Sequence, residues 1–261
     1  MAFKGKVVLI TGAGSGIGAA AAKAFSRLSA GLALVDKDEN GLKKTLEQCE
    51  KADQDHLIIV ADLSKSSEVM SVVPWTVAHF GRIDVLVNCA GIMSEEKMTD
   101  DDVSANFDAV IGINLRTPVI LTNKATPYLI ETRGSIVNIS SMRSTRPCDK
   151  RSMYCVSKAG LEMFTKCVAL DLADRGVRAN SIHPGVVRTN IQFSYNPEAT
   201  PDAHYAASSK KFPFGVTEPE EVAQLVVFLA SSETARTITG AAYYIDGGQS
   251  LMETRSLAGK F

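Results

Sequence analysis

The sequence predicts a doubly wound α/β fold, a parallel sheet of about seven strands with helices on both faces. Three observations predict it. Short runs rich in Val and Ile alternate along the 261 residues with longer segments of helical period. The short runs are continuously apolar rather than alternating in and out, as suits parallel strands covered on both faces. The order is β-α-β-α, the pattern of a crossover-connected parallel sheet.

Taken in order, the strand candidates are 7–10, 32–35, 57–60, 83–87, 135–139, 177–182 and 242–245. Helical segments are expected at 16–30, 39–51, 65–80, 100–131, 152–174 and 219–231. No Gly/Ser linker, low-complexity tract or internal repeat divides the chain, so 1–261 reads as a single domain. One stretch breaks the rhythm. Between 190 and 215 no strand is evident, yet Phe193, Tyr195, Tyr205, Phe212 and Phe214 lie there. A long aromatic-rich insertion is expected to be a lid or binding loop, the alternative being a helical excursion packed on the body or another subunit.

Composition excludes several functions. Lys plus Arg number 28 against 29 Asp plus Glu, a net charge of −1, which argues against nucleic acid or a polybasic membrane anchor. The longest apolar runs, such as 226–230, fall far short of the ~20 residues of a membrane helix. Five cysteines without a C-x-x-C pair and four scattered histidines predict reduced thiols, no metal site and a cytoplasmic setting.

Thr11-Gly12-Ala13-Gly14-Ser15-Gly16-Ile17-Gly18 follows the first strand and opens an Ala-rich helix. Glycines there allow a tight turn and close approach of a pyrophosphate, and the helix N-terminus offers free N–H groups and partial positive charge. The spacing predicts a Rossmann-type dinucleotide site. Asp36, at the end of the second strand, can accept hydrogen bonds from ribose hydroxyls and repels a 2′-phosphate, which favours NAD over NADP. Lys37 beside it is a mild counter-signal, read as an exposed residue at a helix start.

With these residues in place the chain resembles the short-chain dehydrogenase/reductase family in its compact form, from Lys6 to about Leu251. Asp62, Asn88-Cys89-Ala90-Gly91, Asn114, Ser141, Tyr154-Cys155-Val156-Ser157-Lys158, Pro184-Gly185 and Asp246-Gly247-Gly248 carry the likeness in order and spacing. The resemblance implies a catalytic set of Asn114, Ser141, Tyr154 and Lys158. It implies that Gly12, Ser15, Gly16, Ile17, Gly18, Asp36, Asp62, Leu63, Asn88, Ala90, Gly91, Tyr154, Lys158, Pro184, Gly185, Val187 and Thr189 bind or line the cofactor, with a structural role as the alternative for Asn88.

The chemistry is arguable beside the resemblance. Tyr154 and Lys158, four apart, share one helix face. A phenol near pKa 10 is a poor base at neutral pH, and a nearby ammonium is expected to lower it. Ser141 ends the fifth strand, where parallel-sheet sites lie; Ser140 is its alternative. Pro118 lacks the N–H that would bond the Asn114 carbonyl, which would free that carbonyl for a proton-relay water. His183 reads as a packing residue rather than a second base, and Cys155 as packing.

Two departures from the family stand out. Arg143, Arg146, Lys150 and Arg151 crowd the segment before Tyr154, where relatives carry small residues. They are read either as recognising an anionic group or as a solvated loop or subunit contact. Cys89 replaces a usual asparagine and is expected to stay out of the chemistry.

The resemblance therefore implies an NAD(H)-dependent oxidoreductase that interconverts a secondary alcohol and a ketone on an apolar small molecule (steroid-like, terpenoid or fatty-acyl). A homotetramer or homodimer is expected. The competing readings are an NADPH-dependent 3-oxoacyl reductase and a non-catalytic dinucleotide-binding sensor or scaffold.

Overall fold

The computed structural model describes residues 2–50, 55–101, 103–193, 205–206, 208–210 and 212–256. Seven strands, β1 (Val7–Thr11), β2 (Gly31–Asp36), β3 (His56–Val60), β4 (Val85–Asn88), β5 (Ser135–Ile139), β6 (Arg178–Pro184) and β7 (Ala242–Ile245), form one sheet. Its order is β3-β2-β1-β4-β5-β6-β7. Every pairing is parallel.

The helices are α1 (Gly16–Ser26), α2 (Glu39–Glu47), α3 (Ser66–Phe80), α4 (Val103–Ile111), α5 (Thr117–Thr132), α6 (Ser152–Asp171), α7 (Pro219–Ala230) and α8 (Gln249–Ser256). Successive strand residues face opposite sides of a sheet, so a continuously apolar strand feeds two cores at once. Val8 and Ile10 pack with Phe25 of α1 and Val226 of α7. Leu9, between them, packs with Val72 of α3, Leu121 of α5 and Val168 of α6. This Rossmann-type arrangement has its order reversal between β1 and β4, and the carboxyl ends of the strands open a crevice there.

Several boundaries differ from the sequence reading. The fourth strand begins at Val85 rather than 83, because Arg82 grips the Asp84 carboxylate at 2.6 and 2.8 Å and Asp84 also accepts the Val7 amide. The first helix stops at Ser26, and Ser29 takes a left-handed φ of 62° before β2. The expected helix at 100–131 is two helices joined by a π turn, Gly112–Arg116, in which the Thr117 amide reaches the Gly112 carbonyl five residues back. The C-terminal helix α8 lacks a periodic apolar stripe and escaped the pattern.

Within the expected insertion, Asn190–Phe193 forms a 3₁₀ turn, while 194–204, 207 and 211 lie outside the described residues, Tyr195 among them. Tyr205 is buried; its hydroxyl donates to the Thr189 carbonyl and accepts the Thr189 amide. Phe214 is 88% exposed, so the aromatic residues of the insertion do not act as one cluster.

Candidate active site

A cavity of about 720 Å³ lies along the carboxyl ends of the strands. Its floor is the turn after β1. Gly12 has φ +69°, and a Cβ there would lie 2.9 Å from the Ala90 backbone. A Cβ on Gly18 would fall 2.1 Å from the Gly12 carbonyl oxygen. Gly12 and Gly18 are therefore closed to side chains, and α1 begins at the cavity, where a helix start leaves its first amides without intrahelical partners. This cradle fits a pyrophosphate.

The other walls come from the remaining strand ends. Ser15, Gly16 and Ile17 line the cavity with Asp36, Asp62, Leu63, Ala90 and Gly91. Pro184, Gly185, Val187 and Thr189 line it on the β6 side. Asp36 is fixed by the Gly14 and Asp38 amides, each at 3.0 Å, so its charge is held at the end of β2. Hydrogen bonds from Ser64 to Asp62 lower its pKa.

Ser141, Tyr154 and Lys158 line the same cavity, and all three are buried. Ser141 stands close enough to the Tyr154 phenol to draw its pKa downward, and its hydroxyl oxygen accepts the Arg143 amide at 3.1 Å. Ser140 is otherwise engaged, its hydroxyl donating to the Lys158 carbonyl at 3.0 Å. Both oxygens of the Ser141–Tyr154 pair can thus address one substrate oxygen.

Burial raises the Tyr154 pKa, opposed by the Ser141 hydrogen bond and by the charges of Arg151 and Arg143. Lys158 stands beside the same ring. Its ammonium lies 5.7 Å from the Tyr154 ring centroid and donates to the Ile139 carbonyl at 2.8 Å. Desolvation pushes it down to about 8.

Two expected residues stand behind the cavity rather than on its wall. Asn88 donates to Asn138, whose amide donates to Thr165, a buried strand-to-helix chain. That chain fits the structural alternative for Asn88. The Asn114 side chain brackets the backbone of Ile92, accepting its amide at 2.8 Å and donating to its carbonyl at 2.9 Å, and also donates to Ser157. It sits inside the π turn, four residues before Pro118.

His183 is fully buried between Ser181, 2.7 Å away, and Ser144, 3.0 Å away, and burial lowers its pKa. It packs, as the sequence suggested. Cys89 does line the cavity, but burial pushes its thiol up to about 12 and leaves it an inert protonated group.

Sequence reasoning missed the wall formed by Ile92, Met93 and Glu95 after β4, and by Gln249 of α8, which accepts the Val186 amide at 3.1 Å. None carries a local motif; only the three-dimensional return of distant segments reveals them. Arg143, Lys150 and Arg151 reach the cavity, and Arg143 is braced against the Pro147 carbonyl at 3.0 Å.

Comparison with known proteins follows the same geometry. A family model described as enoyl-(acyl carrier protein) reductase matches residues 12–250. The 3-oxoacyl-(acyl-carrier-protein) reductase of Thermotoga maritima is 36% identical over 253 residues, covering 95% of this chain and 99% of the relative. The 3beta-hydroxysteroid dehydrogenase 1 of Eggerthella lenta is 35% identical over 257 residues, covering 95% of each. Among solved structures, a short-chain dehydrogenase/reductase of unknown function from Caenorhabditis elegans, with cofactor, superposes with a TM-score of 0.91 at 29% identity. It covers 98% of this chain and 99% of that one.

Proposed function

The chain belongs to the short-chain dehydrogenase/reductase family, and on that premise we propose that it interconverts a secondary alcohol and a ketone with NAD(H). The observation that carries the reading is that buried Ser141, Tyr154 and Lys158 line the same cavity as the glycine cradle. A nicotinamide dinucleotide supplies hydride acceptance or donation when bound. Tyr154 Oη takes the alcohol proton in oxidation and returns it in reduction. The Ser141 hydroxyl orients the reacting oxygen, Lys158 holds the wall beside the phenol, and Asn114 fixes the Ile92 segment.

Asp36 supports NAD, because a carboxylate anchored by two amides cannot retreat from a 2′-phosphate. Ile92, Met93, Met142, Ile191 and Phe212 make the substrate side apolar, which favours a steroid-like, terpenoid or fatty-acyl compound. We read the chain as one cytoplasmic domain, with Asn190, Ile191, Ser208 and Phe212 of the insertion on the cavity wall. Val156, Met163 and Leu170, seven apart on α6, are 51%, 58% and 79% exposed, an apolar stripe suited to a homodimer or homotetramer contact. Among the described residues no helix is long and apolar enough to cross a membrane.

The second reading, an NADPH-dependent 3-oxoacyl reductase, is favoured by Lys37 on the cavity wall and by the named activity of the Thermotoga relative. A panel of a hydroxysteroid, a 3-hydroxyacyl thioester and a terpenoid alcohol, each assayed with NAD and NADP, separates the two. Tyr154→Phe is expected to lower turnover by about 10³-fold with dinucleotide affinity retained. Full turnover by that variant overturns the enzyme reading in favour of a sensor or scaffold.

A further inference from the structure

Glu96 lies on the segment between β4 and α4 and is 2% exposed. Its carboxylate accepts the Ser94 hydroxyl at 2.5 Å and, through Oε1, the Met153 amide at 2.9 Å. Its own amide donates to the Lys150 carbonyl at 2.8 Å. Met153 is the second residue of α6 and immediately precedes Tyr154. The residue at the N-cap position of that helix, Arg151, makes no side-chain cap of its own. A helix start leaves its first amides without intrahelical partners, and a buried one needs an acceptor from elsewhere. Here a carboxylate from a segment 57 residues earlier provides it.

The same segment has two anchors. At its beginning Ile92 is bracketed by Asn114, and at its end Glu96 is fixed to α6. Between them Ile92, Met93 and Glu95 form the substrate-side wall. Lys150, the residue whose carbonyl Glu96 holds, has a left-handed φ of 56°, a backbone state disfavoured for a side-chain-bearing residue and retained only where neighbours enforce it.

We propose that Glu96 is a positioning residue for Tyr154: it caps the catalytic helix from outside and locks the substrate wall to it. Wall and phenol then move as one unit. The inference rests on Tyr154 being the proton-transfer group, as proposed above. An acceptor at this point is what matters, since the carboxylate touches neither the cavity's reacting atoms nor a charged partner among its described hydrogen bonds.

The test compares Glu96→Ala and Glu96→Gln in the full chain, using whichever of the three panel alcohols turns over fastest, unlabelled and deuterated at the carbinol carbon. Gln keeps the Oε1 acceptor for the Met153 amide and offers its NH₂ to the Ser94 oxygen. For Glu96→Ala, kcat is expected to fall about tenfold or more, with KM for NAD within about twofold, because misplacement by a fraction of an ångström acts on chemistry rather than on cofactor binding. The primary deuterium isotope effect on kcat rises, and amide exchange accelerates at Met153 and Tyr154. Glu96→Gln restores kcat to within about threefold.

Wild-type kcat and isotope effect in Glu96→Ala overturn the proposal, and so does a Gln variant as impaired as Ala. Should Glu96→Ala not fold, Ser94→Ala removes one brace on the carboxylate and is expected to raise the isotope effect with a smaller loss of kcat; an unchanged isotope effect there overturns the proposal too. Tyr154→Phe run in parallel separates the failures, since turnover in that variant refutes the proton-transfer role itself.

Discussion

The two rims of the cavity are built on opposite principles. The rim after β1 is set by close backbone approach: Gly12 abuts Ala90, Gly18 abuts the Gly12 carbonyl, and neither position has room for a Cβ. The rim that faces the substrate is a set of side chains reaching across long sequence distances: Asn114 to Ile92, Glu96 to Met153, Arg151 to the sulfur of Met93. A rim made of backbone admits one residue type and tolerates no drift. One made of side chains can be re-specified one contact at a time while the sheet beneath stays the same. That division suits a family in which the dinucleotide is shared and substrates vary, as the names of the relatives illustrate.

The contrast is broken most directly at Gly18. A Gly18→Ala Cβ would lie 2.1 Å from a backbone oxygen that cannot rotate away. The turn must open, and NADH affinity measured by fluorescence titration is expected to fall by about 100-fold, near 3 kcal/mol. Wild-type affinity in this variant would show that the backbone rim is as adaptable as the other.

This asymmetry also governs what the sequence disclosed. Where a glycine is imposed by a 2–3 Å approach, the constraint is printed in the sequence, and Gly12, Gly16 and Gly18 were legible together with the strand-end carboxylate Asp36. Ser141, Tyr154 and Lys158 were legible by order and helical spacing, and they do meet at one cavity. Glu96 was not, because a loop glutamate looks the same whether it is solvated or caps a helix 57 residues away. Gln249 and Asn88 illustrate the same limit: one lines the wall unforeseen, and the other turns inward to Asn138. The parallel sheet followed from continuous apolar strands, whereas the π turn at Gly112–Arg116 left no apolar period to read.

Lys158 sharpens the comparison by its cost in stability. Folding pushes its ammonium from an ordinary lysine value to about 8, and burial is the main cause. Below pH 8 the lysine is charged in both states, and the folded state bears the full desolvation penalty. Between about pH 8 and 10.5 the unfolded chain binds more protons, so stability rises with pH; above that range both states are neutral and the penalty is gone. Lys158→Met is therefore expected to abolish turnover yet stabilise the dinucleotide-free protein at pH 7 by about 1–3 kcal/mol. The gain should fade toward pH 10.5, as read by urea unfolding across pH. A destabilised variant at pH 7 would mean that the bond to the Ile139 carbonyl outweighs the desolvation.

The smallest effect belongs to the basic segment, whose two functions can be pulled apart. Arg151 and Arg143 draw the Tyr154 pKa downward against the larger upward push of burial. Alcohol oxidation needs the phenolate, so its rate rises with pH through the phenol's ionisation, and losing positive charge moves that limb to higher pH. Arg151→Gln or Arg143→Gln is expected to shift the limb alkaline and to reduce kcat/KM at pH 7 by about two- to fivefold, less so at high salt. Arg→Lys at either position keeps the charge and should leave the limb in place, even though the planar guanidinium is lost. If Lys behaves like Gln, the arginines act through their hydrogen bonds, as Arg143 does toward the Pro147 carbonyl, rather than through charge. An effect confined to an anionic thioester, absent for a neutral steroid alcohol, would instead place these guanidinium groups on the substrate.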